Sequence, residues 1–171
     1  RIHDQRLPAV LAYARANRLN YVACDSPRAR LGIVCAGKSW LDVRQALGHL
    51  GIDERAAATL GIRVLKLGLT WPLEPQAVHA FAQGLEEILV VEEKRPVIED
   101  QLRAQLYGWP DARRPRIVGK RAEDAPGWLL PPHGELNAEQ VALVIAARLG
   151  RFHRDPRIEE RARWLQAKEE A

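Results

Sequence analysis

Methionine is absent from the 171 residues, cysteine occurs twice, and aromatic residues make up only 6%. Each shortage excludes something. Cys24 and Cys35 stand in apolar surroundings at a spacing that suits neither a C-x-x-C metal pair nor a disulfide framework. They read as small buried residues in a reducing cytoplasm. Without methionine, and with Arg1 in first place, the sequence is expected to be a processed product or a piece of something longer. No apolar run approaches the ~18 residues of a membrane span and no signal peptide opens the chain, so the expected location is cytoplasmic, away from any membrane. The sparse aromatics matter for the densest basic stretch, Arg113, Arg114, Arg116, Lys120 and Arg121, which has none interleaved. It lacks the stacking platform of single-strand nucleic-acid binders and reads as a solvated loop. The five histidines, His3, His49, His79, His133 and His153, show no metal-ligand spacing. No serine, histidine and acid trio can be assembled, and no catalytic or metal residue is assigned.

What is present fits one soluble domain: 47% apolar residues, 28% charged residues and a net charge of +4, in a chain long enough to bury its own core. A first helix after Pro8 would carry Val10, Leu11, Ala14 and Leu19, followed by a short apolar segment from Tyr21 to Cys24. Leu31 to Ala36 reads as a strand, with Trp40, Val43, Leu47 and Leu50 at helical spacing behind it. Ile62 to Leu69 is a second strand, followed by a stiff WPLEP turn and a helix carrying Val78, Phe81, Ala82 and Leu85. Ile88 to Val91 is a continuous apolar run of the kind a buried parallel strand shows, and Pro96 opens a helix with Ile98, Leu102 and Leu106. Arg116 to Gly119 is a short fourth strand, and a Pro/Gly-rich loop spans Glu123 to Glu135. Asn137 with Gln140 resembles a capping box ahead of Val141, Val144, Ile145 and Leu149. Asp155 to Ala171 reads as a charged helix with Ile158, Ala162 and Leu165 on its narrow apolar side.

Strands alternating with helices in this way predict a three-layer α/β/α fold, with a mostly parallel sheet of about four to five strands. The expected division is a lead-in helix and edge segment over 1–30, the α/β body over 31–150 and a charged C-terminal helix over 151–171. Ligands and partners of such sheets gather where the strands end, here at Gly37 to Ser39, Gly68 to Trp71 and Glu92 to Lys94.

The first of these ends holds GIVCAGKS, Gly32 to Ser39, which fits the P-loop pattern G-x-x-x-x-G-K-[ST]. A P-loop puts its four variable residues in an irregular loop after a hydrophobic strand. Here those four are Ile33, Val34, Cys35 and Ala36, which have the composition of a strand, and Ser26 to Leu31 upstream supply no strand. A small nucleotide-binding protein using Lys38, Ser39 and Glu92 therefore stands as the alternative reading.

Taken in order, the blocks GIVCAGKSWLDVRQAL, LKLGLTWPLEPQAVHAFAQG and EEILVVEEKRPVIEDQL resemble the transketolase-C-like domain of indolepyruvate ferredoxin oxidoreductases, of the 2-oxoacid:ferredoxin oxidoreductase family. The resemblance runs over about Leu7 to Leu149 and is to the fused bacterial form. It implies a parent enzyme that oxidatively decarboxylates indolepyruvate or another aryl 2-oxoacid to its acyl-CoA and reduces ferredoxin. It also implies thiamine diphosphate, magnesium and a 4Fe-4S cluster in that parent, with CoA as co-substrate. All of these would sit on other domains, since two cysteines cannot hold such a cluster. The partners implied are those thiamine-binding and iron-sulfur domains, ferredoxin and a second copy in a homo-oligomer.

On this reading the chain supplies structure and interfaces, with no catalysis of its own; a free-standing interaction module in a redox complex is a further reading. The residues singled out are Gly37, Lys38 and Ser39, with Lys38 either meeting an anion or standing exposed while Ser39 caps the helix. Glu92 and Glu93 solvate a strand end or serve as acid, base or magnesium ligand. Trp71 anchors an interdomain contact or packs its own turn.

Overall fold

The computed structural model describes residues 1–169. Five strands form one sheet: β1 (Tyr21–Cys24), β2 (Leu31–Ala36), β3 (Ile62–Leu67), β4 (Glu87–Val91) and β5 (Arg116–Val118), in the order β1-β3-β2-β4-β5. The pairs β2/β3, β2/β4 and β4/β5 are parallel, and β1 joins β3 antiparallel at one edge. Helices α1 (Leu7–Ala16), α2 (Gly37–His49), α3 (Glu54–Leu60), α4 (Pro75–Ala82), α5 (Val97–Leu106), α6 (Ala138–Leu149) and α7 (Pro156–Glu169) complete the described residues, with a π-helical turn over Ile2–Arg6 leading into α1. This is the α/β/α layering with a mostly parallel sheet that the alternation of elements predicts.

The two-residue period of the strands sorts side chains between two cores. Leu31, Ile33, Cys35, Ile62, Val64, Leu89 and Val91 face α2, α3, α6 and α7. Val34, Leu65, Leu67, Ile88 and Val90 face α4 and α5. The chain steps from β2 outward to β3, then back past β2 to β4 and on to β5, and right-handed crossovers put the helices of these opposite steps on opposite faces.

β2 lies at the centre, paired along its whole length with β3 and over Leu31 to Cys35 with β4. Its glycine is a packing device: a Cβ at Gly32 would stand 2.8 Å from the Phe81 ring and 2.5 Å from Leu85. α4 can therefore lie directly on the strand. The segment expected to run to Leu69 stops at Leu67, because the amides of Gly68 and Leu69 donate to Asn20 Oδ1 at 3.0 and 3.1 Å instead of to a neighbouring strand.

Several details depart from the sequence reading. In the first helix only Ala14 is buried, and the helix ends at Ala16, short of Leu19. What ties α1 down is polar: Arg15 bonds at 2.9 Å to the buried Glu74, which caps α4 through the amides of Gln76 and Ala77. α3 has no counterpart in the reading, although its ends are marked: Asp53 accepts from the Ala56 amide and Gly61 closes it at φ +80. The capping box is half formed, since Asn137 Oδ1 accepts from Gln140 N at 2.7 Å while Gln140 Oε1 is buried without a partner. In the last helix Ile158 and Leu165 are buried and Ala162 packs beside them; the expected end at Ala171 lies outside the described residues.

At the N-terminal ends of β4 and β5 a buried ion network pins α6 and the 119–137 segment to the sheet. Arg148 donates to both carboxylate oxygens of Glu87, at 2.6 and 2.5 Å, and to Asp124 at 3.0 Å. Arg116 reaches Asp124 at 3.1 Å, and Arg151 bonds to it as well. The Arg148 hydrogen bond, opposed by burial and aided by Arg116, holds the Asp124 carboxyl down at about 2, against an ordinary 3.8. A depressed acid stabilises the fold above its unfolded value and loses that contribution as pH falls toward the folded one. Unfolding free energy is therefore expected to drop as pH falls from about 3.8 to about 2, and Asp124→Asn should flatten that limb in urea titrations.

Candidate functional site

β2 and β4 are neighbours whose following helices lie on opposite faces of the sheet, so the crevice between their C-terminal ends is the position where such folds hold ligands. The two strand ends bring Gly37, Lys38 and Ser39 together with Glu92 and Glu93. Gly37 makes the turn from β2 into α2 at φ +53, and no atom lies within 4 Å of where its Cβ would stand, so the dihedral and not space calls for glycine.

Lys38 stands at these strand ends with its side chain 44% exposed and ringed by acids. Its Nζ lies 3.0 Å from Asp42 Oδ2, 3.4 Å from Glu93 Oε1 and 3.3 Å from Glu135 Oε1, and it donates to the Leu136 carbonyl at 2.7 Å. The Asp42 bond first, and Glu135 with it, hold the ammonium above its ordinary range against some desolvation. One cation among three carboxylates leaves the group net negative, so a phosphate arriving there meets repulsion. Lys94, next to Glu93 in sequence, is spent on the same segment, donating to the Gly134 carbonyl.

Glu92 and Glu93 follow the last residue of β4 and turn to different sides of the sheet. Glu93 turns toward α2 and Lys38. Glu92 turns toward α5 and is buried, its two oxygens accepting from the amides of Ile98 at 2.8 Å and Glu99 at 3.0 Å. It performs the capping that Pro96, at the formal N-cap, has no side-chain group to supply. Burial pushes its carboxyl up, with those two amides and Lys120 pulling the other way. Lys120 is buried too, donating from Nζ to the Glu92 carbonyl and from its backbone to Glu99 Oε2 at 2.9 Å. It is no part of a solvated basic loop, and desolvation lowers its ammonium.

The start of α2 has Ala36 at the N-cap and no side-chain cap; Ser39 is buried in the first turn and its hydroxyl does not cap the helix. Trp71 stands apart from the Lys38 group, at the end of β3, and is 59% exposed. Gln101 ties its turn to α5, accepting from the Leu73 amide and donating to the carbonyls of Thr70 and Val97. Trp71, Val97 and Leu41 are the exposed apolar side chains at the strand ends.

Asp42, Glu135 and Leu136 escaped the sequence reading, and Lys120 entered it only as part of the basic stretch. Asp42 had a signal, its i,i+4 spacing from Lys38 on one helix. Glu135 and Leu136 had none, because 98 positions separate Lys38 from the carbonyl it binds.

The geometry removes the P-loop. Ile33, Val34 and Cys35 are buried strand residues hydrogen-bonded on both sides, their amides unavailable to a phosphate, and Lys38 is held by carboxylates. Magnesium-ATP at millimolar concentration is expected to leave the melting temperature unchanged. Binding at a hundred times Kd would add about 2.7 kcal/mol of stability, so a clear upward shift, lost in Lys38→Ala, would reinstate the nucleotide site.

Residues 22–171 match the family described as the indolepyruvate oxidoreductase domain. The indolepyruvate oxidoreductase subunit IorA of Pyrococcus abyssi is 40% identical over 122 residues, which is 71% of this chain and 16% of that subunit. The IorA subunit of Archaeoglobus fulgidus is 28% identical over 146 residues, 85% of this chain and 20% of that subunit. The chain thus spans a fifth or less of the length of these curated relatives. Among solved structures, the 2-oxoglutarate:ferredoxin oxidoreductase of Magnetococcus marinus, with 2-oxoglutarate, coenzyme A and succinyl-CoA bound, superposes with a TM-score of 0.51 at 16% identity, over 80% of this chain and 21% of that one. A split-gene transketolase, an inactive β4 tetramer, gives 0.53 at 15% identity, over 78% and 42%. Those two likenesses establish a shared fold, and the sequence match over 22–171 carries the assignment: the chain belongs to the indolepyruvate oxidoreductase domain family.

Proposed function

We infer that this chain is a non-catalytic structural and interface domain of an indolepyruvate, or aryl 2-oxoacid, ferredoxin oxidoreductase. The parent enzyme would convert the 2-oxoacid to its acyl-CoA by oxidative decarboxylation and pass the electrons to ferredoxin. The observation that carries the reading is the crevice between β2 and β4, where the fold would place a ligand and where Lys38 is already committed to Asp42, Glu93, Glu135 and Leu136.

The residues present do not fit the cofactors of the parent. Cys24 and Cys35 lie on β1 and β2 with β3 between them, and burial pushes the Cys35 thiol up to about 12, so these two are no thiolate pair for an iron-sulfur cluster. The net negative Lys38 group repels a diphosphate. Among the described residues no three His, Cys, Asp or Glu side chains are placed to hold magnesium. Thiamine diphosphate, magnesium, the 4Fe-4S cluster and CoA therefore belong, on this reading, to other domains of the same polypeptide or complex. Within the chain, 31–150 would be the domain body, 1–30 its lead-in and 151–171 the helix toward the next domain. The enzyme would work as a homo-oligomer in the cytoplasm; among the described residues no helix is long and apolar enough to cross a membrane.

The test is complementation. A parent polypeptide lacking this segment is expected to lose indolepyruvate-dependent reduction of ferredoxin, while the 171-residue chain alone shows none. Turnover by the isolated chain, or micromolar binding of thiamine diphosphate to it, would overturn the reading.

A further inference from the structure

Helix α1 has two apolar faces, and the chain covers one of them. Leu7, Leu11 and Ala14 follow the i, i+4, i+7 spacing of one face and turn inward, Ala14 buried and the two leucines half-buried. Ala9, Ala12, Tyr13 and Ala16 follow i, i+3, i+4, i+7 on the other side, flanked by Pro8 and Val10. All six of these are exposed, Tyr13 at 63%. The helix has a single charged residue, Arg15, and that one is spent on Glu74. A helix that is apolar all round belongs in an interior.

The strand that follows does not offer a partner another way in. β1 is four residues long, with a register shift between Val22 and Cys24, and short, irregular edge strands resist the addition of a further strand. Whatever covers this edge of the molecule meets the side chains of α1.

Size decides between a second copy and a tethered neighbour. At 1.5 Å per residue the ten residues of α1 extend about 15 Å, and six side chains face outward. Free proteins that associate stably bury ~800 Å² and about 20–30 residues on each side. Two copies of this chain meeting through α1 would find too little to hold them. A surface on the same polypeptide needs far less, because the linker keeps it at an effective concentration of about millimolar. The matched domain family begins at residue 22, just after α1, and the matched residues make up a fifth or less of the curated relatives.

We propose that the outer face of α1 docks against an adjoining domain of the same polypeptide, on an uncharged apolar surface that takes the Tyr13 ring and lies close over Ala9, Ala12 and Ala16. A charged partner surface is disfavoured, because this face holds no counter-charge to offset its desolvation. The docking rests on the reading of the chain as an interface domain of a longer enzyme, and it gives one interface its place and chemistry.

The experiment compares deuterium uptake by residues 7–16 in the parent polypeptide and in the 171-residue chain. Uptake in the parent is expected to be at least about tenfold slower, since docking suppresses the local opening through which a frayed helix exchanges. Tyr13→Glu, and independently Ala12→Glu, should each abolish that protection in the parent, while melting curves of the 171-residue chain stay unchanged because both side chains are exposed there. Tyr107→Glu makes the same replacement at an 80% exposed site at the end of α5 and should leave uptake by α1 as it was. Raising the salt to ~1 M should not release the helix, as no ion pair holds the contact. Equal uptake in the two contexts would overturn the proposal, as would protection that survives both glutamate variants or an equal loss with Tyr107→Glu. Self-association of the 171-residue chain below ~100 μM, abolished by Tyr13→Glu, would make a second copy the occupant and overturn it too. Complementation reads turnover with and without the whole segment, whereas exchange reads α1 alone, so the two readings fall separately.

Discussion

Arg148→Ala is expected to lower stability by about 3–5 kcal/mol, the largest effect of any single substitution considered for this chain. Glu87 is 1% exposed and keeps its charge company almost wholly through the two hydrogen bonds from Arg148. With the guanidinium gone, Arg116 and Arg151 remain, but each stands 3.8 Å from the Glu87 carboxylate, beyond hydrogen-bond reach. A buried carboxylate would be left nearly alone. The paired replacement Arg148→Met with Glu87→Leu should recover most of the loss, because it removes the stranded charge together with its desolvation. Denaturant midpoints at neutral pH provide the measurement, and a single variant within about 1 kcal/mol of the parent chain would mean that the network is ornamental.

Gly32→Ala is the second. The added methyl would stand 2.8 Å from Phe81 Cζ and 2.5 Å from Leu85 Cδ1, both of them buried, so either α4 lifts from β2 or two core side chains leave their rotamers. Overpacking of this kind costs about 1–3 kcal/mol. Leu85→Ala opens space at the nearer contact, and the double variant should be more stable than the sum of the single effects by at least about 0.5 kcal/mol. Were Gly32 the first glycine of a nucleotide loop, the same substitution would change nucleotide affinity and leave the core untouched. The two mechanisms predict different observables, and a Gly32→Ala chain that melts like the parent would count against tight packing of the helix on the strand.

How far the fold could be read from the residues depended on the range of the interactions that made each element. β2 and β4 announce themselves through continuous apolar runs, since a strand covered on both faces has no polar side to show. α6 and α7 show their stripes as well. α3 went unread because it is short, with Ala57 and Leu60 as its buried residues, too few for a periodicity to emerge. α1 misled in the opposite sense: Val10 and Leu11 have the spacing of a core face, yet the element is held by an arginine on a glutamate 59 positions away. The site divided along the same line. Gly37, Lys38, Glu92 and Glu93 could be picked out because they lie where strands end, which local pattern reveals. Their roles could not, because Lys38 answers to Glu135 and Leu136, and Glu92 answers to backbone amides in a helix that follows it. Lys120 was misjudged for a related reason, as a basic composition describes a stretch while burial belongs to a single side chain.

The capping of α5 by Glu92 also bears on where extra residues can enter the chain. Because the first turn of α5 is bonded back to the strand end through the amides of Ile98 and Glu99, the connection over 93–96 is measured at both ends. One inserted residue there would carry both amides out of register with the carboxylate and leave it buried without donors. The stretch over 108–115 has no such double attachment and is largely exposed. Of these two connections, one before α5 and one after it, the second is where a loop can lengthen, a tag can be carried or a cleavage site can be placed without disturbing the sheet.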